Sequence, residues 1–122
     1  MNTMTTATST KQRWTTLCNQ TDLVPYSGVA ALHNNEQIAL FYLPGEENEV
    51  FALSNHDPVS NANVIARGLV GDINGKLMVA SPLYKQHYDL RSGECLDTGG
   101  NALKSWAVRL REGVVEVWST QA

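Results

Sequence analysis

Two stretches decide how this chain folds: Ala52-Leu53-Ser54-Asn55-His56-Asp57-Pro58-Val59, and Val79-Ala80-Ser81-Pro82-Leu83-Tyr84-Lys85-Gln86-His87-Tyr88-Asp89. Each opens as an apolar run and breaks into a polar loop. Pro82 has no N–H to donate, so residues 81–84 cannot continue a central strand. An all-β scaffold places its chemistry in the loops at strand ends. Residues 55–63 and 81–84 are therefore the loops to read.

Strand signals surround them. Residues 69–73 and 76–80 flank Asn74-Gly75, the dipeptide best suited to a two-residue type I′ hairpin. Apolar runs at 29–32 and 37–43 flank His33-Asn34-Asn35-Glu36, a second turn because Asn tolerates positive φ. Runs at 106–110 and 114–118 form a third hairpin across Arg111-Glu112-Gly113. Further strands are expected at 14–18, 50–53 and 86–90, with Pro25 and Gly28 as punctuation. No long amphipathic helix and no internal repeat is present. Short strands separated by Gly and Asn argue for an all-β antiparallel sandwich or barrel.

At 122 residues the chain is one domain, with residues 1–11 read as a flexible Thr- and Ser-rich tail and residues 12–120 as the folded unit. The net charge is −3, and the nine Lys and Arg residues are scattered. Nucleic-acid binding is excluded, since it calls for clustered basic residues. No apolar run reaches the roughly 20 residues that span a bilayer. The N-terminus shows no basic-then-apolar export pattern, so a cytoplasmic location is expected. In that setting Cys18 and Cys95 read as reduced and buried.

Self-contained catalysis is not expected. Ser81 has no base at a recognisable spacing and no Gly-x-Ser-x-Gly context. The glycines do not form a phosphate-cradling loop. His56, Asp57 and His87 carry the donor types of a two-His, one-carboxylate metal site, but nothing in their spacing demands one. The two histidines read as ordinary loop residues.

The two loops resemble those of the Rieske family, which run Cys-x-His and Cys-Pro-x-His, the second followed by an aromatic, an Asp and a Gly turn. Here Pro82, Leu83, Tyr88, Asp89 and Gly93 fit that frame. The resemblance implies a Rieske-like [2Fe-2S] domain fold. It places Asp57 and Val59 at the first Cys and His, and Ser81 and Tyr84 at the second pair, so all four ligands are missing. A [2Fe–2S] cluster needs thiolates on at least one iron. A carboxylate, a valine, a hydroxyl and a phenol do not supply them. The expectation is a clasp in which Asp57, Ser81 and Tyr84 pin the loops by hydrogen bonds.

The run Ala66-Arg67-Gly68-Leu69-Val70-Gly71-Asp72, together with Val79-Ala80-Ser81-Pro82-Leu83 and Lys85-Gln86, narrows the resemblance. It is similar to the small subunits of cytoplasmic NAD(P)H-dependent assimilatory nitrite reductases, from Trp14 to Trp118. Tyr84 departs from the His that relatives often carry. The resemblance implies an accessory oxidoreductase subunit with no catalytic group, metal or cofactor of its own. Its partner would be a large subunit carrying flavin (FAD), a [4Fe–4S] cluster and sirohaem, which reduces nitrite to ammonium in nitrate assimilation. His56, Arg67, Lys85 and Gln86, at the loop end, are the candidate partner-binding residues. The alternatives are an electron-carrying ferredoxin, which the missing ligands oppose, and a free-standing Rieske-like module for a protein or ligand.

Overall fold

A computed structural model describes residues 12–120; the N-terminal stretch read as a tail lies outside the described residues. Twelve strands run in chain order: β1 (Gln12–Asn19), β2 (Ser27–His33), β3 (Glu36–Tyr42), β4 (Val50–Ser54), β5 (His56–Asp57), β6 (Ala62–Asn63), β7 (Leu69–Ile73), β8 (Lys76–Ala80), β9 (His87–Asp89), β10 (Ser105–Trp106), β11 (Val108–Arg111) and β12 (Val114–Thr120). Two single-turn 3₁₀ helices, Gln20–Asp22 and Ile65–Arg67, complete the described residues. The all-β expectation holds.

Three hairpins are closed by the turns that the sequence announced. Asn34 and Asn35, then Asn74 and Gly75, then Glu112 and Gly113 all have positive φ, as a type I′ turn requires of both central residues. The long β1 returns against β12 and places Trp14 opposite Trp118.

The strands form sheets of order β1-β12-β11, β10-β4-β3-β2, β5-β6 and β7-β8-β9. The β10-β4-β3-β2 sheet is the middle layer, and β3 explains why. Its run Ile38-Ala39-Leu40-Phe41 is fully buried. Because side chains alternate across a strand, Ile38 and Leu40 pack with Val115 and Leu23 on one side. Ala39 and Phe41 pack with Ile65, Val79, Tyr88 and Leu90 on the other. The first core joins the chain ends to the middle sheet. The second supports the two loops.

The expected single strand at 106–110 is two strands. Ser105–Trp106 pairs with β4, whereas Val108–Arg111 pairs with β12. Ala107 carries the chain from one sheet to the other, and its carbonyl accepts from the N–H of Trp118 at 3.0 Å. Hydropathy reports burial and not which sheet does the burying, so this crossing left no mark in the pattern.

Candidate functional site

Both loops leave the second core at neighbouring points. The first follows β4 and is shaped by Asn61, whose positive φ turns its N–H back to the carbonyl of Asp57 at 2.8 Å. The second is closed at its base: Ser81 N–H donates to the Gln86 carbonyl at 2.8 Å and Lys85 N–H to the Ser81 carbonyl at 3.1 Å. Gly68 lies against the Ala80 carbonyl with no room for a Cβ, so the Ile65–Arg67 turn abuts the root of this loop.

Asp57 and Ser81 meet where the loops converge. The Ser81 hydroxyl donates to Asp57 Oδ2 at 2.6 Å, and both side chains are fully buried. The other carboxylate oxygen accepts from the Val59 N–H at 2.9 Å, the Ser60 N–H at 3.4 Å and Gln86 Nε2 at 3.3 Å. Gln86 Nε2 also reaches the hydroxyl of the buried Tyr88 at 3.3 Å. The contact with Asp57 needs the nitrogen end of the amide, since its oxygen would repel the carboxylate. Burial alone would raise the Asp57 carboxyl. Its hydrogen bonds, that from Ser81 foremost, outweigh burial and hold it below its ordinary value. Burial pushes the Tyr88 phenol up, against the bond from Gln86.

Tyr84 takes no part in this clasp. It was expected to pin the loops with Asp57 and Ser81, but it is 64 % exposed and makes no side-chain hydrogen bond among the described residues. Both closing bonds fall on Ser81, Lys85 and Gln86, which leaves Pro82, Leu83 and Tyr84 at the outward apex. Gln86 takes the interior place instead. Val59 is also exposed.

These residues do not fit a [2Fe–2S] cluster. At the four degenerate ligand positions stand a carboxylate already saturated by hydrogen bonds, an apolar side chain, a hydroxyl engaged with that carboxylate, and a solvent-facing phenol. None is a soft donor. His56, Asp57 and His87 do not converge either. The His56 ring lies 3.4 Å from Asn63 Oδ1, and the His87 ring 3.2 Å from Asp97 Oδ1. Among the described residues no three His, Cys, Asp or Glu side chains are grouped to hold a metal.

The partner candidates separate. Arg67 and Lys85 are exposed beside the second loop, and Lys85 helps to line a hollow of about 270 Å³ with Leu69, Pro82 and His87. His56 opens on a different hollow, shared with Leu32 and Glu36. Gln86 has turned inward. Cys18 and Cys95 are free and only half-buried; burial and then Asp22 raise the Cys18 thiol, which keeps it protonated.

Asn55 was not singled out from the sequence. It is 3 % exposed, accepts from the Ala66 N–H at 2.7 Å and donates to Gln37 Oε1 at 2.9 Å. Its own carbonyl accepts from the Ile65 N–H at 3.1 Å. It ties the 3₁₀ turn at Ile65–Arg67 to the middle sheet.

This architecture, with a hydrogen-bonded clasp where two loops meet, defines a Rieske-like domain, and residues 13–118 match the family of Rieske-like [2Fe-2S] domains. The nitrite reductase (NADH) small subunit of Salmonella typhimurium is 40% identical over 105 residues, covering 86% of this chain and 96% of that protein. The solution structure of the Escherichia coli protein NirD superposes with a TM-score of 0.79 at 37% identity, over 89% of this chain and 98% of that one. The chain belongs to the nitrite reductase small-subunit family. A stretch 40% identical over 108 residues, 88% of this chain, also forms 11% of the nitrite reductase [NAD(P)H] large subunit of Klebsiella oxytoca.

Proposed function

We propose that this chain acts in the cytoplasm as the accessory subunit of an NAD(P)H-dependent nitrite reductase, with the flavin, [4Fe–4S] and sirohaem groups on a large-subunit partner. Nitrite reduction to ammonium proceeds on that partner. The observation that carries this reading is the saturated Asp57–Ser81 clasp. It leaves the one site where the fold would hold a redox centre without a donor set, so electrons must travel elsewhere. The Klebsiella relative supports the pairing, because there a domain similar to this chain lies within the large-subunit polypeptide. The domain's own contribution is a preformed surface held rigid by buried polar bonds.

The test is co-expression of the large subunit with and without this chain, followed by NAD(P)H-dependent nitrite consumption and its decay on storage at growth temperature. With the chain present, activity is higher or lasts longer. Identical rates and half-lives would overturn the reading.

A further inference from the structure

The exposed side chains at the loop end carry more than the polar residues already named. Among the described residues eight large apolar side chains are exposed, and four of them, Val59, Leu69, Leu83 and Tyr84, belong to this end. The 2.6 Å bond between Asp57 and Ser81 brings the loops of Val59 and of Leu83 and Tyr84 together. Leu69, 78 % exposed, pairs with Ala80 at the foot of the second loop and lines the hollow there with Pro82 and Lys85. Concentrated exposed apolar surface marks an interaction site, whereas scattered single residues do not.

The electrostatics of this end differ from those of the molecule. The chain carries −3 overall, yet the loop end presents Arg67 and Lys85 to solvent, and neither is ion-paired among the described residues. The carboxylates nearby keep their charge but are hydrogen-bonded to groups other than Arg67 and Lys85. Asp57 is inside the clasp, Asp97 is held by His87, and Asp89 accepts from the backbone N–H groups of Arg91 and Ser92. Acidic side chains on a partner would complement these two unpaired cations.

We infer that the apolar cap of Val59, Leu69, Leu83 and Tyr84, rimmed by Arg67 and Lys85, is the face that docks the large subunit, on an apolar patch bordered by acidic side chains. This rests on the accessory-subunit reading above and deepens it. Tyr84 is the anchor, because a few central side chains, Tyr prominent among them, carry most of an interface's energy, and Leu83 adds apolar area beside it. Arg67 and Lys85 at the rim steer association and make it salt-sensitive. The cap is preformed, since Asp57, Ser81 and Gln86 fix both loops beneath it.

The experiment titrates the purified full-length chain into purified large subunit and reads affinity by calorimetry. It compares wild type, L83D/Y84D, R67E/K85E and, as an exposed apolar control outside the cap, V24D. Val24 is 51 % exposed and follows the turn whose Gln20 N–H donates to the Gly113 carbonyl. Thermal melts verify that each variant is folded. The expected result is a loss of affinity of about tenfold or more for L83D/Y84D. R67E/K85E should show a smaller loss with a flatter salt dependence, and V24D wild-type binding. Wild-type affinity in both loop variants overturns the proposed face and leaves the accessory role standing. Failure of the wild type itself to bind the large subunit overturns the accessory reading and this face with it. Cap-dependent flotation on phosphatidylglycerol vesicles, with no binding to the large subunit, would replace the protein partner with a membrane surface.

Discussion

The Ser81 hydroxyl lies 2.6 Å from Asp57 Oδ2, with both residues withdrawn from solvent, and this bond joins two loops that are 24 residues apart in sequence. In a metal-holding Rieske domain the cluster makes that connection, and metal binding is coupled to folding. Here a charge-assisted hydrogen bond makes it. Such bonds are shorter and stronger than neutral ones, and the carboxylate gathers additional N–H donors from Val59 and Gln86. The burial of Asp57 is tolerated because nearly every lone pair on it has a donor.

Removing either partner should therefore destabilise the fold by more than a surface change would. S81A leaves a buried carboxylate short of one donor, at a cost of about 1–3 kcal/mol, which is a fall in melting temperature of roughly 5–15 °C for a domain this small. D57A orphans the Ser81 hydroxyl and the Val59 N–H and leaves the Gln86 amide only its Tyr88 bond, so it should cost more. The double variant should be less destabilised than the sum of the two single variants, because the bond is lost only once. Differential scanning calorimetry on the four proteins measures this. Strict additivity, or single-variant shifts within error, would show that the two loops are held by something else.

Acid stability follows from the direction of the Asp57 shift. Its hydrogen bonds hold the folded-state carboxyl below its ordinary value of 3.8. The unfolded state then binds the proton more readily, and stability rises with pH through that range. The contribution is fully present above the ordinary value and is lost as pH falls through the lower folded value. Asp97, held down by the backbone and ring N–H groups of His87, adds a slope of the same sign from the surface. Urea unfolding from about pH 2.5 to pH 6 should show a wild-type stability loss at the acid end that is shallower in D57N and, by a smaller margin, in D97N. An unchanged slope in D57N would contradict the ionised clasp.

Much of this fold is legible in the sequence. Asn74-Gly75 fixed one hairpin because only residues tolerating positive φ close a two-residue turn, and the register of Pro82, Tyr88 and Asp89 located the second loop. The division of 106–110 between two sheets was not legible, because period-2 burial is the same whichever sheet covers a strand. Nor was the exchange of Tyr84 for Gln86 in the clasp. Both are polar residues of one short loop, and which of them turns inward is set by the backbone bonds that Ser81 makes at the loop's base. Asn55 was hidden for a related reason: its value lies in partners at Gln37 and Ala66, distant in sequence.

That residue yields a third prediction. Asn55 satisfies the Ala66 N–H and Gln37 Oε1 from a buried position, so N55A should destabilise by about 1–3 kcal/mol. N55D should be no milder, since it keeps the acceptor for Ala66 but sets a negative charge against the Gln37 oxygen. Native-state hydrogen exchange should show the Ala66 amide losing protection in N55A while amides of the β7–β8 hairpin keep theirs. Equal loss across both segments would mean that the 3₁₀ turn and the hairpin open as one unit.

The most direct test of the degenerate centre is to restore its donors. Iron–sulfur chemistry needs two thiolates on one iron and accepts two imidazoles on the other. The quadruple variant D57C/V59H/S81C/Y84H supplies them at the family spacing. Val59 and Tyr84 are exposed, so their replacement is cheap, whereas replacing Asp57 and Ser81 sacrifices the clasp that ties the loops. The variant should accordingly be less stable than the wild type without metal. After anaerobic reconstitution with ferrous iron and sulfide it should gain visible absorption near that of a [2Fe–2S] centre and recover part of the lost melting temperature. The wild-type chain, treated identically, should remain colourless and melt unchanged. Colour in the wild type would show that donors outside these four positions hold iron. A quadruple variant that stays folded yet takes up none would show that loss of the ligands was accompanied by closure of the loops beyond the reach of side-chain replacement.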